Sequence, residues 1–253
     1  MDEVGFFHTL LLAWFALAAV TFVLLLFVRA PYGRYARRGW GPILGKKMGW
    51  VIMELPSALG MPLLFLLGNR QDNAPALVFL ALWEIHYLHR TFVFPLGLRG
   101  SGGGHALATV VMAIFFNSVN VYLNGRWLFF LGPRLEPAWL ADPRFLLGGF
   151  LFAAGFAICK HSDAILRALR SPGESGYKIP RGGLFRWVTC PNYLGEIIEW
   201  CGWALLTWSL AGLSFAAWTV ANLAPRARQH HRWYRQEFPD YPRERRALLP
   251  FIC

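Results

Sequence analysis

Ionisable side chains recur inside segments of this sequence that are otherwise strongly apolar. Glu54 lies in one such segment, and the next contains Tyr87 and Arg90, three residues apart. Glu196 and Glu199 follow in a later segment. An ionisable group at bilayer depth costs several kcal/mol unless it is paired or faces a water-filled cavity, so such groups are functional candidates. The pattern predicts a polar cavity enclosed by a bundle of helices.

The spacing of the later carboxylates places them on one face of a helix. Asn192, Glu196 and Glu199 are four and three residues apart, which puts them on roughly the same side. Pro191 suits the first turn of that helix. Two carboxylates in an apolar helix require hydrogen-bond donors from other segments. Either a functional polar site or a structural network of ion pairs meets that requirement.

Composition places the chain in a bilayer. Of its 253 residues, 56% are hydrophobic and 15% are charged, whereas a soluble domain carries about 25% charged residues. No strand pattern is visible, and seven apolar segments are candidates for spanning helices. They cover residues 6–28, 48–68, 74–97, 105–124, 144–168, 192–210 and 212–234, with a turn at 209–212. The prediction is an all-α, polytopic membrane protein of seven helices, with a single domain over residues 1–253.

The distribution of lysine and arginine predicts the orientation of this bundle. Loops that alternate along the chain hold nineteen of these residues on one side and four on the other. Basic loops favour the cytoplasmic side, so the N-terminus is expected outside and the C-terminus in the cytoplasm. The membrane is either a bacterial inner membrane or the endoplasmic reticulum. The net charge of +11 indicates an anionic ligand or an anionic lipid surface, and nucleic acid is a poor alternative because most of the chain lies in lipid.

Two cytoplasmic segments are suited to a phosphate-bearing ligand. The loop over residues 170–185 is dense in glycine, proline and basic residues. Glycine lets the backbone approach a ligand closely, and arginine and lysine neutralise phosphates. Arg226, His230 and Tyr234 follow at intervals of four residues on one helix face. Both features predict an anionic cofactor, and contact with anionic lipid head groups is the alternative.

Histidine and cysteine spacing argues against a metal centre. His86 and His89 are three residues apart, without the four-residue, glutamate-containing spacing of a metalloprotease helix. The four cysteines show no paired metal-ligand spacing, and Cys159 and Cys201 fall in apolar segments as small buried side chains. We therefore expect no metal.

Six blocks of sequence, in order along the chain, together resemble the steroid 5α-reductase family. The similarity spans Tyr32 to Phe251 and is strongest to the type 1 and type 2 steroid enzymes; it is weaker to sterol Δ14-reductases and trans-2-enoyl-CoA reductases. The resemblance implies a seven-helix membrane reductase that uses NADPH to reduce the C4–C5 double bond of a 3-oxo-Δ4-steroid. The blocks are 54–57 (ELPS), 86–92 (HYLHRTF), 161–163 (HSD), 172–185, 192–200 (NYLGEIIEW) and 247–251 (ALLPF).

Carried over residue by residue, the resemblance assigns catalytic and cofactor-binding roles. Glu54 and Tyr87 match the pair that hydrogen-bonds the steroid C3 carbonyl. Three departures bear on NADPH affinity. Cys159 stands where relatives have asparagine, and Lys178 stands where they have arginine. Leu98 and Ser101 begin and end a block that reads Asn-Arg-Gly-Arg in relatives. The positions that match cofactor contacts are Tyr32, Arg90, Asp163, Arg170, Tyr177, Lys178, Asn192, Glu196, Arg226, His230 and Tyr234.

The implied chemistry needs an electron sink at the substrate carbonyl. An enone that accepts hydride develops charge on its carbonyl oxygen, so donors aimed at that oxygen stabilise the transition state. The Tyr87 hydroxyl can donate, and Glu54 can donate when its carboxyl is protonated. In this interpretation the first four helices enclose the steroid and the last three, with the basic loops, hold NADPH in a monomer. The alternatives are a reductase of another enone lipid or enoyl thioester, a non-enzymatic sterol-binding protein, and a membrane methyltransferase.

Overall fold

Helices account for most of the chain in the computed structural model, which describes residues 2–29, 39–98, 104–169 and 176–249. A π-helical turn, His89–Val93, joins α3 (Ala74–Leu88) to α4 (Phe94–Leu96), so the two form one continuous helix and the described chain has seven long helices. A second π turn, Trp127–Leu131, extends α5 (Leu107–Arg126). The α-helices are α1 (Glu3–Phe27), α2 (Lys46–Leu67), α3 (Ala74–Leu88), α4 (Phe94–Leu96), α5 (Leu107–Arg126), α6 (Pro143–Ala168), α7 (Pro191–Thr207) and α8 (Leu210–Glu237).

Four of these helices are long and apolar enough to cross a membrane. They are α1, α2, α5 with its π extension, and α6. α7 has only 17 residues, and α8 ends in a strongly basic half. The apolar helices agree with a membrane protein, while seven spans and their orientation remain predictions.

The expectation of a chain without strands differs from the structure in one place. β1 (Ile43–Gly45) pairs antiparallel with β2 (Gly104–Ala106). A Cβ atom on Gly104 would lie 2.2 Å from the carbonyl oxygen of Leu44, so the pairing requires glycine there. Strands of three residues are too short to show a periodic pattern, which explains why the sequence does not reveal them.

The break between the last two helices also differs from the predicted turn at 209–212. Trp208 ends α7 in the left-handed region, with φ of 46°. The Ser209 hydroxyl accepts a hydrogen bond from the Gly212 backbone N–H at 2.9 Å and caps α8. Gly212 therefore lies inside α8. Serine is a strong N-cap residue, and here it determines the boundary more than the glycine does.

Contacts between connecting segments group them at two ends of the bundle. At one end, Arg70 donates to the carbonyl oxygen of Pro133 at 2.6 Å, and Asn73 donates to that of Leu135 at 2.9 Å. At the other end, Gln229 of α8 donates to the carbonyl oxygen of Leu25 at the end of α1, at 2.6 Å. The second end carries the strand pair and the basic C-terminal segment, so basic residues collect there.

Glycines allow α6 and α7 to pack with their backbones in contact. Gly148 faces Gly202, and Gly155 faces Gly195, so two pairs spaced by seven residues meet along the antiparallel interface. A Cβ atom on Gly155 would lie 2.3 Å from the Glu199 backbone nitrogen. Small residues at helix interfaces permit this close approach within a membrane. The glycines therefore determine how close α6, which carries Asp163, lies to α7, which carries Glu196.

We expect Gly155→Ala to lower the thermal unfolding temperature of the protein in detergent. The added methyl group meets backbone atoms that cannot move aside, and overpacking of this kind costs about 1–3 kcal/mol. Gly149→Ala is the matched control, because a Cβ atom at Gly149 has open space around it. Alanine also favours the helix there. Equal unfolding temperatures for the two variants would contradict the proposed packing.

Candidate active site

The two predicted catalytic residues lie on neighbouring helices in the interior. Glu54 of α2 and Tyr87 of α3 are buried, with exposures of 8% and 2%. Pro56 removes one backbone hydrogen bond from α2, and Asn117 of α5 donates to the carbonyl oxygen of Met53 at 2.6 Å in the same region. Asn117 therefore holds the segment of α2 that carries Glu54 against α5.

Arg90 connects Glu54 to the carboxylate of another helix. Its Nε donates to Glu54 Oε1 at 3.0 Å, and its Nη1 lies 3.6 Å from Glu196 Oε2. The guanidinium also lies over the ring of Trp50, at 5.1 Å from the ring centroid. Arg90 belongs to the π turn that follows α3, and such turns often occur at functional sites. α2, α3 and α7 thus meet at a single guanidinium.

Tyr87 faces the same part of α2 without bonding directly to Glu54. Its ring packs against Trp83 and Trp200, with centroid distances of 4.8 and 6.0 Å. Its phenol lies near Ser57 and Glu54, which are one turn apart on α2. Within the described part of the chain, no hydrogen bond joins Glu54 to Tyr87, because the carboxylate contacts Arg90 and Asn117. Both side chains remain available to a shared third group.

Predicted cofactor residues on α6 and α7 form a second polar cluster. Asn192 donates to Asp163 Oδ1 at 3.4 Å. The thiol of Cys159 lies 3.9 Å from Asp163 Oδ2, so the residue that departs from the family pattern still contacts this carboxylate. Asn192 and Asp163 are both half-buried.

Of the three residues predicted to share one face of α8, the structure brings only Arg226 and His230 together. Arg226 Nη2 lies 3.4 Å from the Tyr193 hydroxyl, and His230 Nε2 lies 3.2 Å from the same oxygen. Tyr193 of α7 therefore contacts both side chains, and the sequence pattern does not single it out. Tyr234 is instead buried, and its ring stacks on Tyr241 at 5.3 Å.

The remaining predicted cofactor residues lie at the surface or beyond the described ranges. Tyr177 is exposed and packs edge-on against Trp233, at a centroid distance of 5.1 Å. Lys178 is exposed. Tyr32 and Arg170 fall outside the residues that the structure describes, as does Ser101.

The two histidines considered as metal ligands have other partners. His89 Nδ1 lies 3.0 Å from Lys160 Nζ. His86 Nδ1 lies 2.7 Å from Glu199 Oε1, and both of these side chains are almost fully buried. Among the described residues, no group of three or more histidine, cysteine, aspartate or glutamate side chains could hold a metal ion.

The His86–Glu199 pair locks the turn of α3 that carries Tyr87 against α7. We expect Glu199→Leu to destabilise the protein by about 3–5 kcal/mol, since removing one member of a buried pair leaves its partner without compensation. The measurement is thermal unfolding in detergent. Combining Glu199→Leu with His86→Phe removes both polar groups and should recover part of the loss. Additive losses in the double variant would show that the pair is not coupled.

Comparison with known proteins assigns the chain to a family. The sequence model described as 3-oxo-5-alpha-steroid 4-dehydrogenase matches residues 104–253. The 3-oxo-5-alpha-steroid 4-dehydrogenase 1 of Bos taurus is 45% identical over 242 residues, which cover 94% of this chain and 93% of the relative. That of Mus musculus is 45% identical over 255 residues, covering 100% and 99%.

A plant relative extends the similarity. The steroid 5-alpha-reductase DET2 of Arabidopsis thaliana is 40% identical over 261 residues, covering 100% of both chains. The resemblance inferred from the six sequence blocks is thus confirmed. The chain belongs to the 3-oxo-5-alpha-steroid 4-dehydrogenase family, and it is an oxidoreductase that acts on CH–CH groups.

Proposed function

We propose that the protein reduces the C4–C5 double bond of a 3-oxo-Δ4-steroid to the 5α-dihydrosteroid, with NADPH as the reductant. The observation that carries this proposal is the connected series Glu54, Arg90 and Glu196 beside the buried Tyr87. Glu54 and Tyr87 are suited to a substrate carbonyl group, and Glu196 lies on the face of α7 that is suited to a cofactor. Arg90 connects the two. The names of the relatives supply the substrate class.

Tyr87 and Glu54 polarise the C3 carbonyl of the substrate. Charge develops on that oxygen as hydride adds at C5, and donors that meet the developing charge lower the barrier more than they stabilise the ground state. The Tyr87 hydroxyl donates one hydrogen bond. Glu54 accepts from Arg90 through Oε1 and from Asn117 through Oε2, and it donates to the carbonyl oxygen when its carboxyl carries a proton. A proton then adds at C4 to complete the reduction.

The polar clusters fit a nicotinamide dinucleotide in the chemistry of their groups. Arg226 and Lys178 supply cations for phosphates and His230 supplies a ring N–H donor, while the Asn192–Asp163 pair offers the donor and acceptor that an amide requires. When bound, NADPH supplies the hydride. The protein binds and orients it through the residues predicted above, and Tyr193 joins this set because it holds Arg226 and His230.

We assign the basic end of the bundle to the cytoplasm and the opposite end, with the N-terminus, to the outside. The dinucleotide then enters from water, and the steroid enters from lipid between the first four long helices. The protein acts as a monomer in this assignment, within either a bacterial inner membrane or the endoplasmic reticulum.

We expect membranes that contain the protein to consume NADPH when given a 3-oxo-Δ4-steroid and to form the 5α-dihydro product. The measurement combines NADPH absorbance with mass spectrometry of the extracted steroid, and membranes without the protein are the control. A panel with an enoyl thioester and a non-steroidal enone lipid tests the substrate class. Consumption of NADPH with the enoyl thioester alone would make the thioester the substrate in place of the steroid. No consumption of NADPH with any enone would favour a non-enzymatic binding protein.

A further inference from the structure

A basic cleft lies at the surface between α6 and the C-terminal segment. It has a volume of about 670 Å³, and its walls include His161, Arg181, Arg186 and Arg245. None of these residues is among the cofactor contacts that the family resemblance assigns, although Arg181 lies in the loop over residues 170–185 that the sequence predicts for an anionic ligand. His161 is exposed, whereas Asp163, two residues further along α6, is directed towards Asn192. The cleft therefore lies on a different face of α6 from the proposed dinucleotide site.

The walls of the cleft are held by backbone contacts. Gly183 has φ of 48°, a region that favours glycine, and a Cβ atom there would lie 2.7 Å from His161 Nε2, so the loop lies closely against the imidazole. On the opposite wall, Val188 and Arg246 form a parallel bridge. Thr189 N donates to the Arg246 carbonyl oxygen at 2.8 Å, and the Thr189 hydroxyl lies 2.7 Å from that of Tyr241. The cleft is thus formed by ordered segments on both sides.

The charge of the cleft is strongly positive. Three arginines and one histidine line it, against one carboxylate, Glu244. Arg245 is only 4% exposed, and its Nε and Nη1 atoms have no hydrogen-bond partner in the described part of the chain. Buried donors without acceptors are costly, and more so when the group is charged. An acceptor with negative charge would relieve this deficit.

The other side chains of the cleft indicate where such an acceptor would come from. Trp187 is 41% exposed, and Leu184 also lines the cleft. Tryptophan is enriched at the boundary between membrane and water, and the cleft begins at the basic end of α6. Arginine binds phosphate oxygens in a bidentate manner.

We propose that this cleft binds a phosphate group, separately from the dinucleotide site. The phosphate belongs either to the head group of an anionic phospholipid or to free inorganic phosphate, and both sources share the chemistry that three arginines recognise. This inference does not depend on the proposed reaction, because none of His161, Arg181, Arg186 and Arg245 is assigned a contact with the substrate or with NADPH.

The test titrates delipidated protein in detergent with three probes. These are phosphatidylglycerol, phosphatidylcholine and inorganic phosphate, and native mass spectrometry counts the bound molecules. The variant is Arg181→Gln combined with Arg186→Gln, both at exposed positions, so folding is preserved. We expect it to weaken binding of the preferred probe by about 30-fold, since each of the two basic residues near the surface contributes about 1 kcal/mol. Arg232→Gln, an exposed arginine of α8 away from the cleft, is the control and should bind as the unmodified protein does.

Each outcome decides the proposal. Preferential binding of phosphatidylglycerol that is lost in the double variant supports a lipid head group, and the same pattern with inorganic phosphate supports a free anion. Equal binding by the double variant and the control would overturn the site. A KM for NADPH that rises in the double variant in parallel with lost phosphate binding would assign these arginines to the cofactor and would also overturn it.

Discussion

Replacing Tyr87 by phenylalanine is expected to lower kcat for steroid reduction by about 100- to 1000-fold, the usual effect of removing one donor from an oxyanion-stabilising site. The change removes a single oxygen atom. The ring keeps its contacts with Trp83 and Trp200, so the fold of α3 is preserved. Because Arg90, Asn192 and the other groups assigned to the cofactor are unaltered, the affinity for NADPH should not change.

Steady-state kinetics with a 3-oxo-Δ4-steroid and a separate measurement of NADPH binding check this result. Tyr122→Phe is the matched control, since Tyr122 of α5 packs edge-on against Phe6 of α1 and the same oxygen is lost there. Full turnover by Tyr87→Phe would refute the assigned role. A loss of NADPH binding without a change in kcat would move Tyr87 to the cofactor site.

Helix positions were largely predictable from the sequence because apolar runs and helix length are local properties. The segment predicted at 144–168 corresponds to α6 (Pro143–Ala168), and that at 48–68 corresponds to α2 (Lys46–Leu67). Spacing alone also placed Tyr87 and Arg90 on one side of their helix. The link from Arg90 to Glu54 could not be derived from spacing, because it depends on how α2 and α3 pack.

Other features of the site depend on contacts between segments that are distant in the chain, so the sequence shows only weak patterns for them. Asn117, Asn120 and Asn124 are buried on one face of α5, and their spacing of three and four residues in an apolar helix is a signal that the sequence analysis missed. Trp203 donates to Asn124 Oδ1 at 2.9 Å, so this stripe anchors α7 to α5. The pairing of His86 with Glu199 joins residues 113 positions apart, and no local pattern could reveal it.

Glu54→Gln is expected to lower kcat by about 100-fold, because the amide is a weaker donor to the developing oxyanion than a carboxylic acid. The substitution keeps the shape of the side chain and leaves an amide oxygen that can still accept from Arg90 Nε. Steady-state kinetics give kcat and both KM values, and the exposed Glu136→Gln is the control for exchange of a carboxylate for an amide. A raised KM for NADPH with unchanged kcat would show instead that Glu54 acts only by positioning Arg90.

The double variant Glu54→Gln with Tyr87→Phe separates two ways in which these residues can work. If both donate to the same carbonyl oxygen as one unit, the second substitution adds little to the first, because residues that act together are strongly non-additive. If each contributes independently, the two losses in kcat multiply. We expect the first outcome, since both residues are assigned to the same carbonyl oxygen and no hydrogen bond joins the two side chains in the described residues. Multiplied losses would separate the two roles and assign Glu54 to the Arg90–Glu196 network instead.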